Sequence, residues 1–243
     1  MSTTLAVGVA GFALWNPPAA TRPQPSILPP NERRRAPDTV AIALEVAQAA
    51  CLNAGRDPAQ LPTVFASTFG DLAITDYMCS TLARAPTTLS PTRFHNSVHN
   101  AAAGYWTIAT GCREPYCALG AGDYTFGAGL LAAAVQVCAD QTDVLLVAYD
   151  IGVNGPQAEI ASSRGMLGVA LVLSTPRGPT EAGLQLTITA GASAGAVGGN
   201  AMADCLPLIA ALAAEAATVL SLPLGPDSAL QVRIQRGSAK ISG

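Results

Sequence analysis

The strongest constraint in this sequence is the alternation of short apolar runs with longer stretches whose apolar residues recur at helical spacing. Residues 143–151 and 166–174 form two of the apolar runs, and residues 39–53 form a helical stretch preceded by Asp38. Short apolar runs are typical of buried strands, whereas apolar residues three and four positions apart indicate an amphipathic helix. The alternation predicts a layered α/β fold with a mainly parallel sheet.

The remaining elements follow from the same patterns. A proline-rich stretch at 16–37 predicts a long extended loop, because proline removes a backbone donor and stops helices. Asp123 is placed to cap the helix that follows it, and the small residues of 89–106 predict a tightly packed helix. Further strands are predicted at 4–13, 61–67, 115–120, 184–190 and 229–234, and further helices from residue 70, at 123–139 and at 206–220.

Charge and composition exclude several classes of function. The formal net charge is −3, and the basic residues are scattered apart from Arg33 to Arg35, so neither nucleic acid nor an anionic membrane is an expected partner. Arg33 to Arg35 form either a contact with a partner protein or a solvated cluster. The apolar run Leu5 to Trp15 is shorter than a membrane span and lacks a basic leader, so we expect neither membrane insertion nor a signal peptide.

Six cysteines occur without a C-x-x-C pair or a regular spacing, which favours a reduced, cytoplasmic protein over a disulfide framework or a zinc site. His95 and His99 would share one face of a helix, but position 96 is Asn96 and no third ligand is evident. We therefore predict no metal and no cofactor, and we expect both histidines to form hydrogen bonds.

Residues 191–195 match G-x-S-x-G, the turn that carries the nucleophilic serine of α/β-hydrolases, here Ser193. In those enzymes the histidine follows the serine, whereas both histidines of this chain precede it. A small-residue turn leaving a strand is the better interpretation. The glycines at 120–122 and 127–129 lack the spacing of a nucleotide loop, so they indicate close backbone packing.

The segment from about Leu61 to Ser174 resembles the N-terminal half of the β-ketoacyl synthases. The resemblance rests on the order and spacing of several pieces: Ser90-Pro91, Asn100, Ala103-Gly104, Gly111, the strand ending at Leu119, Phe126 to Leu130, and Asp143 to Val147. The chain is particularly similar to the chain length factors encoded with aryl polyene synthesis. The resemblance implies a thiolase-like layered α/β/α fold, as one domain over 1–243 in which about 184–243 is a reduced second repeat.

The same resemblance implies that the family's nucleophilic cysteine is missing. Its spacing, counted back from Gly127, places the nucleophile at Leu119, which cannot attack a thioester; Cys117, two residues earlier, is the alternative. The family also takes two histidines from its C-terminal half, whereas the residues after 229–234 read Gln235-Arg236-Gly237-Ser238. We therefore expect no catalysis by this chain alone.

What the resemblance implies instead is a heterodimer with a full-length ketosynthase, formed through the strand Pro115 to Leu119 just before the turn. In that assembly the chain would close the partner's acyl tunnel and meet acyl carrier protein indirectly. The residues expected at the interface and tunnel are Phe94, His95, His99, Asn100, Tyr105, Pro115 and Tyr116. Two alternatives stay open, namely a small acyltransferase or thioesterase that uses Cys117 or Ser193, and a purely structural ketosynthase partner.

Overall fold

The computed structural model describes residues 4–17, 21–153, 156–176, 182–191, 193 and 199–235. The strands are β1 (Thr4–Trp15), β2 (Thr63–Ala66), β3 (Tyr116–Leu119), β4 (Val144–Ile151), β5 (Met166–Ser174), β6 (Ala182–Ala190), β7 (Thr218–Gly225) and β8 (Ser228–Gln235). The helices are α1 (Pro30–Arg35), α2 (Asp38–Ala54), α3 (Leu72–Arg84), α4 (Pro91–His95), α5 (Ala101–Thr110), α6 (Thr125–Asp140) and α7 (Cys205–Ala213).

All eight strands join one sheet in the order β3-β2-β4-β5-β1-β6-β8-β7. Two pairings are parallel, β2 with β3 and β2 with β4, and the others are antiparallel. The prediction of a mainly parallel sheet is therefore wrong. Helices connect β2 to β3 and β3 to β4, as crossovers between parallel strands require. Among the described residues no α-helix lies between β4 and β5 or between β7 and β8.

Helices cover both faces of this sheet, which confirms the predicted α/β/α layering. Buried residues of α2 and α5 form one core with the sheet, including Trp106, Phe65 and Leu145. Residues of α6 and α7 form the other core on the opposite face, including Phe126, Leu146 and Leu208. The side chains of β4 alternate between these two cores, and this explains why the whole strand is an uninterrupted apolar run.

Glycines allow α6 to lie close to the sheet, as the sequence predicted. A Cβ on Gly129 would lie 2.9 Å from the Cβ of Ala66, and a Cβ on Gly127 would lie 2.6 Å from the backbone oxygen of Pro223 on β7. Real Cβ atoms do not approach other atoms this closely, so larger residues would push the helix away. The glycines on α6 thus position the helix that follows β3.

Several predicted elements differ from the structure. The helix predicted at 206–220 ends at Ala213, and the last three residues of the predicted range, 218–220, belong to β7. Glu215, at φ 49°, turns the chain out of the helix, and alanine-rich sequence gave no local sign of this turn. The described residues between 182 and 235 therefore contain one strand more than the strand, helix and strand expected.

The helix predicted within 89–106 is two helices, α4 and α5, with a turn at 96–100 between them. Within the proline-rich stretch the described residues include a turn at 26–28 and helix α1, where a long extended loop was predicted. The prediction that Asp123 caps α6 is wrong, because the N-cap residue of that helix is Tyr124. The carboxylate of Asp123 instead accepts a hydrogen bond from Ser162 Oγ at 2.7 Å. Asp71 does cap α3, by accepting from the backbone N–H of Ile74.

Among the described helices none combines the length and the apolar character needed to cross a membrane. Some sequence predictions fall on residues outside the described ranges. They include the segment 236–238 and all of the G-x-S-x-G motif except Gly191 and Ser193.

Candidate functional site

The predicted nucleophile position, Leu119, is the last residue of β3. Its half-buried side chain packs against the core beneath α6. The turn that follows is closed by Thr125 Oγ1, which accepts from the backbone N–H of Ala121 at 2.9 Å and donates to the backbone oxygen of Gly122 at 2.6 Å. The residue at this position thus contributes packing and offers no group that could attack a thioester.

Cys117 lies one pleat before Leu119 on β3 and is exposed. Residues two apart on a strand point to the same face, so its thiol lies on the α6 side of the sheet, where Leu119 also points. Helix α6 begins only at Thr125, so Cys117 is part of the strand and not of the helix start that would favour a thiolate.

Two other thiols are poor candidates for chemistry. Burial raises the pKa of Cys51 and of Cys205 to about 12, and a nearby carboxylate contributes in each case. Both thiols therefore stay protonated, and a protonated thiol is a weak nucleophile.

A buried carboxylate that sequence analysis did not single out lies behind the β3 turn. Asp150, near the end of β4, accepts from Ser67 Oγ at 2.8 Å, from the backbone N–H of Thr68 at 3.0 Å and from Ser163 Oγ at 3.0 Å. Asn200 also donates to the backbone oxygen of Asp150. A single side chain thus joins the end of β4, the loop after β2 and the loop before β5.

Desolvation raises the pKa of Asp150 above its ordinary value, and its hydrogen bonds to Thr68, Ser67 and Ser163 oppose that effect. The sequence signal for this residue was an aspartate at the end of the apolar run of β4. A buried carboxylate requires partners, and such a residue marks a hydrogen-bonded junction.

His99 connects this junction to the β3 turn. Its Nε2 lies 2.8 Å from the backbone oxygen of Ser67, and a Cβ on Gly120 would lie 3.3 Å from the same nitrogen. His99 therefore forms a hydrogen bond, as predicted, and its ring supports the backbone on the inner side of the turn.

Three of the other predicted interface residues, Asn100, Pro115 and Tyr116, lie on or against β3. Asn100 Nδ2 donates to the Tyr116 hydroxyl at 2.9 Å, which links the start of α5 to the free edge of β3. The backbone oxygen of Pro115 accepts from Thr63 N at 3.1 Å, which fixes the register of β3 on β2.

Phe94 and His95 are exposed on α4, and Phe94 is 58% exposed. The His95 ring is tilted against the ring of Tyr105, with centroids 6.4 Å apart. His95 ends α4, whereas His99 belongs to the turn before α5, so the two histidines do not share a helix face. No group of three possible metal-ligating side chains occurs within the described ranges.

The three consecutive arginines of α1 do not form one cluster. Arg33 donates to the backbone oxygen of Leu28 at 2.9 Å, and Arg34 donates to Asn31 Oδ1. Arg35 instead lines a cleft beside α4.

Ser193 donates to the backbone oxygen of Ser221 on β7. Strand β7 forms the opposite edge of the sheet from β3, and His99 lies beside Gly120, the residue that follows β3. Ser193 and His99 therefore belong to different edges of the sheet, and this arrangement does not support a serine–histidine pair.

Residues 13–221 match the family model for the beta-ketoacyl synthase N-terminal domain. No curated protein matches the sequence. Among solved structures, the chain is similar to a chain of the ketosynthase (ApeO) in complex with its chain length factor (ApeC) from Xenorhabdus doucetiae. That match has a TM-score of 0.70 and 20% identity, and covers 96% of this chain and 98% of the other.

It is also similar to the ishigamide ketosynthase/chain length factor, with a TM-score of 0.62, 13% identity, and coverage of 96% of this chain and 100% of that one. A beta-ketoacyl synthase from Burkholderia phymatum matches with a TM-score of 0.56 and 13% identity, over 80% of this chain and 66% of that one. The layered fold is that of thiolase-like ketosynthases, and the matched part spans about two thirds of the Burkholderia ketosynthase. With most of its length matched by the family model, the chain belongs to the β-ketoacyl synthase N-terminal domain family.

Proposed function

We propose that this chain is a non-catalytic, chain length factor-like partner of a full-length ketosynthase. The observation that carries the proposal is the end of β3, where Leu119 packs into the core at the position that the family's nucleophile would occupy. The two ketosynthase/chain length factor complexes support it, since each includes a chain that this one covers almost completely. In this proposal, any condensation chemistry belongs to the companion subunit.

We place the contact with that companion at the free edge of β3. The backbone oxygens of Pro115 and Leu119 accept from β2, so the backbone groups of the intervening residues Tyr116 and Ala118 point outward. An unprotected strand edge with uncharged side chains favours pairing with a second strand. Antiparallel pairing across a two-fold axis would use the outward groups.

The exposed aromatic Phe94 is our candidate for the residue that reaches the partner's acyl tunnel. Large apolar side chains that are exposed together mark interaction sites. Val98, four residues after Phe94, is also exposed, and so is Tyr116, which Asn100 contacts. The substrate would be a growing polyketide or aryl polyene thioester, delivered to the ketosynthase by acyl carrier protein.

Co-expression with a full-length ketosynthase tests the partnership. We expect a stable complex, and deletion of this chain should change product length or yield. A stable monomer whose deletion leaves both unchanged would refute the proposal.

Phe94→Ala separates gating from simple stabilisation of the partner. A gating subunit should shift the length distribution of products while the complex stays intact. Leu82→Ala, a truncation of another exposed apolar side chain, is the matched control on α3. An unchanged distribution in Phe94→Ala would favour the structural partner.

The exposure of Cys117 keeps the acyltransferase alternative testable. We expect no covalent adduct when the isolated chain is incubated with an acyl-thioester probe. An adduct that Cys117→Ser abolishes would overturn the non-catalytic assignment, and an adduct lost in Ser193→Ala would point to the serine instead.

A further inference from the structure

A cleft of about 540 Å³ lies between the end of α1, the start of α3 and helix α4. Its lining includes Arg35, Ile74, Arg93, Asn96 and Ile151. Its volume falls in the range of small-molecule sites, about 300–1,000 Å³. The proposed partner role gives this cleft no function.

The two carboxylates of the cleft already have partners. Asp38 pairs with Arg22 at 2.7 Å. Asp71 accepts from the backbone N–H of Ile74 at 2.9 Å and from Thr39 Oγ1 at 2.9 Å. Asp38 is therefore neutralised by Arg22, whereas the oxygens of Asp71 are occupied by neutral donors and form no ion pair with a guanidinium of the cleft among the described residues.

Two guanidiniums, those of Arg35 and Arg93, line the cleft. Within the described ranges neither forms an ion pair with a carboxylate. Arg93 stacks over the Tyr77 ring at 4.0 Å, which orients the group, and the Tyr77 hydroxyl accepts from the backbone N–H of Ser90. An oriented guanidinium with free N–H groups suits bidentate contact with an anion.

The wall of the cleft also contains an unsatisfied amide. Asn96 is 4% exposed, and its Oδ1 has no hydrogen-bond partner in the described part of the chain. Leaving such an oxygen unpaired is unfavourable, because it loses its hydrogen bonds to water on folding and gains none in return. A ligand with an N–H or O–H group could supply the missing donor, while Ile74 and Ile151 provide apolar contact.

We propose that this cleft binds a small organic phosphate. Arg35 and Arg93 contact the phosphate, whose charge of about −2 at neutral pH matches two guanidiniums. The amide of Asn96 meets a donor on the organic part. This inference goes beyond the proposed partner role and does not depend on it.

The test is a calorimetric titration of the full-length chain with N-acetyl-O-phosphoserine amide, which combines a phosphate with amide N–H groups. We expect saturable binding that weakens at least tenfold in Arg35→Ala and in Arg93→Ala. Arg34→Ala is the matched control, because Arg34 lies on α1 but bonds to Asn31 outside the cleft lining. Its affinity should equal that of the original chain.

Two comparison ligands identify the chemistry. N-acetylserine amide, which lacks the phosphate, should not bind, and N-acetylaspartate amide should bind at least tenfold more weakly than the phosphate. Equal affinity for the carboxylate would overturn the phosphate assignment. No binding, or equal binding by Arg35→Ala, Arg93→Ala and Arg34→Ala, would overturn the site itself. Arg35 is exposed at the end of α1, so its truncation tests the site even if Arg93→Ala fails to fold.

Discussion

The two edges of the sheet differ in how they meet solvent. Strand β7 has a proline within it, Pro223, and an irregular register between Pro223 and Gly225, both of which hinder pairing with another strand. Strand β3 pairs regularly with β2 and has no proline or charged residue, and Tyr116 on it is 46% exposed. One edge is thus protected against association, whereas the other is open to it.

The edges also differ in what supports them. The β3 side is attached to the rest of the sheet through the polar junction around Asp150 and His99. The β7 side lies against α6 through the close approach of Gly127 to Pro223. This difference means that each edge can be disturbed separately.

The largest effect is expected from Asp150→Ala, which leaves three donors without their acceptor and should lower the free energy of unfolding by about 3 kcal/mol. Hydrogen exchange should accelerate in 63–70 and 116–120 before 218–225. Asp140→Ala, on the exposed end of α6, is the control. Uniform acceleration across the sheet would contradict a separate β3 junction.

Ala118→Pro makes the β3 edge resemble the β7 edge, because it removes an outward N–H that β2 does not use. We expect co-purification with a ketosynthase to weaken at least tenfold while the circular dichroism spectrum is retained. Ala118→Val keeps the donor and should retain binding. An intact complex with Ala118→Pro would exclude strand pairing as the mode of association.

Gly127→Ala disturbs the opposite edge. The new Cβ would meet the backbone oxygen of Pro223 at 2.6 Å, and we expect a loss of about 1–3 kcal/mol in the free energy of unfolding, measured by urea denaturation. Gly104→Ala on α5 is the matched control, because its Cβ would meet no atom within 4 Å. That substitution should stabilise the chain by about 0.5–1 kcal/mol, so a loss in both variants would argue against a specific contact with β7.

The Asp150 junction also predicts a pH dependence. Burial raises the pKa of this carboxyl in the folded chain, so the folded state favours the protonated form. Its contribution to stability is therefore complete below the ordinary carboxyl pKa, and it is lost as pH rises through the higher folded value. Relative to Asp150→Asn, the original chain should gain unfolding free energy as the solution is acidified through that window. If the unfolding free energies of the two proteins changed with pH in parallel, the pKa of Asp150 would be the same in the folded and unfolded chain.

The smallest effect concerns the hydrogen bond from Asn100 to Tyr116. Because this bond is exposed, Tyr116→Phe should cost at most about 1 kcal/mol. A double-mutant cycle with Asn100→Ala measures the coupling between the two residues. Additive effects of the two substitutions would mean that the bond does not contribute to positioning the β3 edge.

The sequence by itself determined the elements whose signals are local. The uninterrupted apolar run of β4 and the helical repeat of α2 predicted both elements closely, because a strand buried on both faces and a helix on a sheet each need apolar residues at a characteristic spacing. The sequence also indicated that the position expected for the nucleophile holds Leu119 and no thiol, because that inference uses only the spacing of residues along the chain.

Tertiary structure decided the rest. The antiparallel pairings, the end of α7 and the break between α4 and α5 depend on contacts between segments distant in sequence, which local propensity does not record. Asp150 appeared in the sequence as a single acid in an apolar strand. Its role as a junction arises because the fold brings Ser67 and Ser163, far from each other along the chain, to one buried carboxylate that must be hydrogen-bonded.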